Sequence, residues 1–215
     1  MKLQSLYFIL CATCLACNSN DPADTAATQA TFETDTATKP TSTPDSLYEI
    51  VPGDRIGRTY IGQRVDEATK DLGQPAWGDA AMGKAWGTWY GKGTDSLQHQ
   101  LSIYSTRDTL DGQETMLVQQ VRVTSPSFVT ANGIHTGSLI SEIRQFFPGI
   151  SAVGYYPDQQ QQRVYIYDDA AQGIAFDIAL PDSTCTAIAV HRKGENVAAT
   201  YLPLHPGLVT LGSTP

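Results

Sequence analysis

Cysteine, clustered base and long apolar runs are all scarce in this chain, and each scarcity excludes something. Of four cysteines among 215 residues, Cys11, Cys14 and Cys17 crowd into the first 17 positions and only Cys185 lies further on. A disulfide framework is thereby excluded from the body of the protein. Lys and Arg form no cluster in a chain of formal charge −8, so there is no basic footprint for phosphate, and nucleic acid is not an expected partner. HxxxH, CxxC and HExxH patterns are missing, and His99, His135, His191 and His205 share no ligand spacing. No metal or other cofactor is therefore expected. Gly-x-Ser-x-Gly and phosphate-loop sequences are missing as well.

The N-terminus is more informative. Met1-Lys2 precedes an apolar run from Leu3 to Ala16, well short of the roughly 20 residues that span a bilayer. The run ends in Leu15-Ala16-Cys17, which resembles the lipobox of bacterial lipoproteins. The resemblance implies a signal peptide over residues 1–16, cleavage after Ala16 and lipidation at Cys17. It points to an outer-membrane lipoprotein facing the periplasm or the cell surface. Cys14 stands where Leu or Val is usual, which leaves Cys14 as an alternative acceptor and an ordinary secretory signal as the plainer reading.

Residues 17–46 then read as the lipidated cysteine and a tether. Asn18 to Ser46 holds eight Thr and one large apolar residue, Phe32, too little to offset the entropy of ordering. Asp24-Thr25-Ala26, Asp35-Thr36-Ala37 and Asp45-Ser46-Leu47 resemble the Asp-Ser/Thr-apolar acceptor of general O-glycosylation in some Gram-negative bacteria. Thr25, Thr36 and Ser46 are the candidate acceptors; a Thr-rich tether also generates such triplets by composition alone.

Beyond the tether the chain repeats. Thr130 to Gly149 joins a glycine turn to a short helix, and 75 positions earlier Tyr60 to Gly73 follows the same plan. Ile140, Ile143 and Phe147 line one helix face, as do Val65, Ala68 and Leu72 in the earlier copy, with Ser138 as the later helix's cap. After each helix come three strand signals. They are Ala85–Tyr90, Gln98–Ser105 and Met116–Thr124, then Arg163–Tyr167, Ile174–Leu180 and Cys185–Arg192. The expected class is α+β: a tandem repeat of a short helix plus a three-stranded antiparallel meander, with helices on one face of the sheet. The copies span residues 47–125 and 126–192, and residues 193–215 form a tail that either lies over the sheet or stays loose.

This plan, with the Gly-Ile-x-x-Gly pattern that opens Gly133 to Ile143, resembles the SmpA/OmlA (BamE)-like lipoproteins. It is also similar to the tandem β-lactamase inhibitor protein fold. The resemblance implies an outer-membrane lipoprotein or a protein-binding module, and no catalytic residues. BamE-like lipoproteins carry a single copy, so their role in outer-membrane assembly does not transfer directly.

Strand alternation then predicts a binding face opposite the helices. If Ile174, Phe176, Ile178, Ile188 and Val190 face the helices, Asp177 and His191 face away. By the same logic Tyr165, Tyr167, Tyr104 and Arg122 join them, with Trp86 and Tyr90, or alternatively Trp89, from a strand of ambiguous parity. Tyr, Trp and Arg are the residues that dominate protein interfaces, although aromatics also suit strands in general. Asp168-Asp169 reads as a hairpin turn, and Cys185 as a packed thiol too far from His191 to be activated. The expected function is therefore a non-enzymatic, lipid-anchored module that binds an envelope protein through an open aromatic face. A carbohydrate-binding surface and an enzyme with a site assembled only in space are the alternatives.

Overall fold

A computed structural model describes residues 46–92, 98–198, 205 and 207–212. Three short strands come first: β1 (Glu49–Val51), β2 (Arg55–Ile56) and β3 (Thr59–Tyr60). A one-turn helix α1 (Val65–Ala68) precedes the meander β4 (Trp77–Ala81), β5 (Lys84–Lys92), β6 (Gln98–Leu110) and β7 (Gln113–Val123). After β8 (Val129–Thr130) comes α2 (Ile140–Phe146). A second meander follows, β9 (Ser151–Pro157), β10 (Arg163–Asp169), β11 (Ile174–Ala179) and β12 (Thr184–His191), and β13 (Val209–Thr210) ends the series. The large sheet has nine strands in the order β13-β9-β10-β11-β12-β7-β6-β5-β4, and a small one has the order β3-β2-β1-β8.

The α+β expectation is overturned: the described chain is mostly strand, with helices of four and seven residues only. Glycine and proline confine both helical stretches. Gly62 precedes α1, and Gly73 and Pro75 bar its extension; Pro148 and Gly149 bar that of α2. α1 buries no residue fully, and the small sheet shares the covering of the core through Ile50 and Ile56. Ser138 does not cap α2. The cap is Leu139, whose N–H donates to the Glu142 carboxylate at 2.9 Å. Each meander also has a fourth strand, β4 or β9, that alternation alone did not reveal.

The turns follow directly from local chemistry. Asp111 and Gly112 both take positive φ, 52° and 76°, between β6 and β7, as the tightest hairpins require. Met82 and Gly83 do the same between β4 and β5, with φ of 53° and 75°.

The two meanders share one hydrogen-bond register. Gly62 N–H donates to the Val118 carbonyl at 2.7 Å, and Val118 N–H to Gln63 at 2.9 Å. In the second half Gly137 N–H donates to Cys185 at 2.7 Å, and Cys185 N–H to Ser138 at 2.9 Å. Each pre-helical turn thus docks on the last strand of its own meander. Register shifts fall at matching places, between Tyr104 and Ser105 and between Asp177 and Ile178. The halves join where β7 pairs antiparallel with β12, Arg122 standing opposite Ala189.

Both faces of the large sheet are covered. Ile103, Val121, Val123, Ile174, Phe176, Ile178, Ile188 and Val190 pack with Ile143, Phe147, Ile50 and Ile56 on what we term the core face. On the other, the tail face, Val153, Tyr156, Val164, Ile166, Ala175 and Ala189 pack with Val197 and Leu208 of the C-terminal segment. β13 pairs with β9, Val209 opposite Tyr155, and fixes that segment at the sheet edge.

Candidate functional site

The tail face holds the densest polar arrangement. Arg122 on β7 donates from Nε and Nη2 to Asp177 Oδ2 on β11, at 3.1 and 2.6 Å. β12 lies between them, and its residues there are Ala187 and Ala189. Neighbouring strands are about 4.8 Å apart, so only a long side chain crossing small ones can reach. Tyr156 donates its hydroxyl to the same carboxylate oxygen at 2.9 Å. His205 of the tail stacks on Tyr156, with ring centroids 3.8 Å apart and planes 12° from parallel, and sets Nε2 3.9 Å from Asp177 Oδ2.

The electrostatics follow from that geometry. Burial alone would raise the Asp177 carboxyl, but Arg122, then His205 and the hydrogen bonds from Arg122 and Tyr156, hold it below its ordinary value. Burial opposes the Arg122 charge, yet Asp177 outweighs it and keeps the guanidinium firmly protonated. Burial and the Asp177 charge push the Tyr156 hydroxyl up. Burial lowers His205 from 6.5 to about 4, Asp177 opposing and Arg122 adding to the shift, so the stacked ring is neutral at pH 7.

A second buried pair lies along the same face. His191 Nε2 is 2.8 Å from Asp168 Oδ1, and His191 Nδ1 is 3.1 Å from the Arg192 carbonyl. Asp168 Oδ2 accepts the Val197 N–H at 3.0 Å, which ties the tail to the end of β10. His191 is 0% and Asp168 2% exposed, so the pair is sealed from solvent. Asp168 and Asp169 close a strand, correcting their reading as a hairpin turn.

The predicted face does not exist as one open surface. Tyr104, Arg122, Asp177 and His191 lie on the side away from the main core, as parity implied, but all four are buried. Trp86 stands opposite Tyr104 in the same row, and its buried indole N–H has no hydrogen-bond partner among the described residues. Tyr90 shares that parity and is exposed; Trp89 packs on the core face. Tyr165 and Tyr167 are on the core side instead, opposite Ile178 and Phe176, because both faces of β10 are covered and alternation does not say which is which. There Tyr155, Tyr165 and Tyr167 form a ladder, capped by the guanidinium of Arg163 over Tyr155 and that of Arg144 over Tyr167.

Simple alternation along β12 would put Cys185 and His191 on one face; a bulge at Thr186 separates them, turning Cys185 to the core opposite Ile178. Burial raises the Cys185 thiol, which donates to the Ala187 carbonyl, so it has the character of a packed thiol. His135 serves the repeated turn, its Nδ1 2.6 Å from the Thr136 carbonyl. Ala16, Cys17, Thr25 and Thr36 lie outside the described residues, whereas Ser46 is described and exposed. Among the described residues no His, Cys, Asp and Glu cluster could hold a metal ion, and no helix is long and apolar enough to cross a membrane.

Three surface features had no sequence signal or a weak one. β4 is exposed at every residue, with Trp77 66% and the following Met82 99% exposed. A cleft of about 200 Å³ opens between α1 and β5 beside Trp89. Tyr156 and His205 meet only because the tail returns to the sheet. Comparison with protein-family models, curated proteins and solved structures found no match to this chain.

Proposed function

We propose that the protein is a non-enzymatic, lipid-anchored envelope protein that binds a protein partner by strand addition at the free edge of β4. The carrying observation is that edge. β4 pairs only with β5 among the described residues, all five of its residues are exposed, and Trp77 and Met82 stand out from it. Natural sheets blunt such edges with lysine, proline or bulges, whereas Trp77–Ala81 carries a single charge, Asp79. An extended segment laid along it gains main-chain hydrogen bonds, with Trp77 and Met82 as apolar anchors. The deep burial of the Asp168–His191 and Arg122–Asp177 pairs supports a structural rather than catalytic use of them.

The anchor rests on Leu15-Ala16-Cys17, and kinship with the SmpA/OmlA (BamE)-like lipoproteins on Gly133 to Ile143. Outer-membrane residence follows from the same two stretches. A photo-crosslinking side chain at Met82 of the full chain, in its own cells, gives a discrete adduct that Trp77→Asp abolishes. An adduct of equal yield in Trp77→Asp, or none, refutes the edge. Metabolic labelling with a palmitate analogue is lost in Cys17→Ser; persistence of the label refutes the anchor.

A further inference from the structure

We propose that the cleft between α1 and β5 is a binding site for a neutral pyranose sugar. Its origin lies in the shared register of the two halves. Gly87 stands opposite Ile103, as Tyr167 stands opposite Phe176, so Gly87 is the first-half counterpart of Tyr167. Leu72 precedes Phe147 by 75 positions and takes its place after α1. In the second half Tyr167 and Phe147 pack into the core, Phe147 with its ring 5.2 Å from Phe176. In the first half the glycine lets Trp89 and Pro75 close over the strand, and about 200 Å³ stays open beside them.

The walls suit a saturated ring. Trp89 lies over Gly87, where an added Cβ would sit 2.9 Å from the indole and 3.2 Å from Pro75 Cβ. The indole is held in place, its Nε1–H donating to the Gly73 carbonyl at 3.0 Å. A sugar's C–H face packs on such a fixed aromatic plane, and fixing the plane beforehand lowers the entropy cost of binding. Around it stand Gln74, Thr69 and Ser105. Thr69 and Ser105 donate to the Val65 and Ala85 carbonyls, so both hydroxyls keep acceptor capacity for a ligand. The exposed Gln74 amide supplies both donors and an acceptor.

Charge decides the ligand class. In a chain of 22 acids and 14 bases, the lining of this cleft holds no ionisable side chain among the described residues. A charged sugar acid or a phosphate finds no counter-charge there. The volume lies below the roughly 300 Å³ at which pockets for drug-sized ligands begin, which suits a single ring.

Saturation-transfer NMR on the full chain tests this with millimolar methyl glycosides of glucose, galactose, mannose and N-acetylglucosamine, alongside glucuronate and phenol. At least one neutral glycoside receives transfer, strongest at its ring C–H protons, and shifts the Trp89 indole resonance. Gln74→Ala weakens that binding about fivefold, the effect of one lost hydrogen bond. Gly87→Ala, which displaces the indole, abolishes it. Gln74 is exposed, so its variant decides the matter even where Gly87→Ala fails to fold. Transfer to phenol or glucuronate without any neutral glycoside, no transfer at all, or glycoside binding unchanged in Gln74→Ala each overturns the site. None of these results touches the β4 edge, which is tested by crosslinking at Met82.

Discussion

Arg122 and Asp177, 55 positions apart, form a buried ion pair that reaches across β12 and ties the first meander to the second. Removing one partner strands the other charge. Arg122→Met is expected to cost about 3–5 kcal/mol, while Arg122→Met with Asp177→Leu recovers more than half of that loss. Urea denaturation of the two variants and the wild type measures both values. Equal loss in the single and double variants would show that shape, not charge, holds the seam.

The tail's hold on the sheet is predicted to weaken with acid. His205 titrates near 4 when docked and near 6.5 when free, so the undocked state takes up the proton first. The contribution is complete above about pH 6.5 and falls as pH drops through 4, by at most roughly 3 kcal/mol. Among the described residues, Asp177, Arg122 and Tyr156 are charged or titratable groups that face the ring. Hydrogen exchange at the Leu211 amide, which donates to Val153, reads the docking. His205→Phe keeps the stack and removes the proton, so its exchange loses most of this pH dependence.

Asp168 holds two donors at once, His191 Nε2 and the Val197 N–H. Asp168→Ala leaves both in a buried site, at about 1–3 kcal/mol each. Faster exchange at the Val197 amide, together with a lower urea midpoint, is the expected pair of signatures.

The two tryptophans of β5 are predicted to respond unequally. Trp86 Nε1 is buried without a partner among the described residues, so Trp86→Phe relieves an unmet donor and changes stability by less than about 1 kcal/mol in either direction. Trp89 spends its N–H on Gly73, so Trp89→Phe loses that bond and some packing, at roughly 1–2 kcal/mol. Thermal melts of the two variants separate them.

The sequence showed the meanders because Ile174 to Leu180 alternates cleanly and Asp111-Gly112 turns the chain where a hairpin needs it. It misjudged the class because amphipathic spacing at Val65, Ala68 and Leu72 yields a single helical turn once Gly62, Gly73 and Pro75 bracket it. β4 escaped notice because a strand exposed on all residues has no apolar period to read. The polar site was half visible. Arg122, Asp177 and His191 fell on one side by parity, but nothing in Lys193 to Pro215 announced that His205 and Val197 would cover them. Tyr165 and Tyr167 were assigned to the wrong side because Val164 and Ile166 pack under the tail rather than in the main core.

The β7–β12 seam also sets an order on folding. Within the large sheet, neighbours other than β7–β12 and β13–β9 are consecutive strands, closed by local hairpins that form on the microsecond scale. Joining β7 to β12 instead brings together segments such as Val123 and Ile188, with the whole of β8 to β11 between them. Such non-local closure is slow relative to hairpins. A chain cut after α2 keeps the first meander but leaves β7 a long, apolar, unpaired edge, the kind that recruits other chains. The nascent protein is therefore most vulnerable to self-association in the interval before β12 arrives.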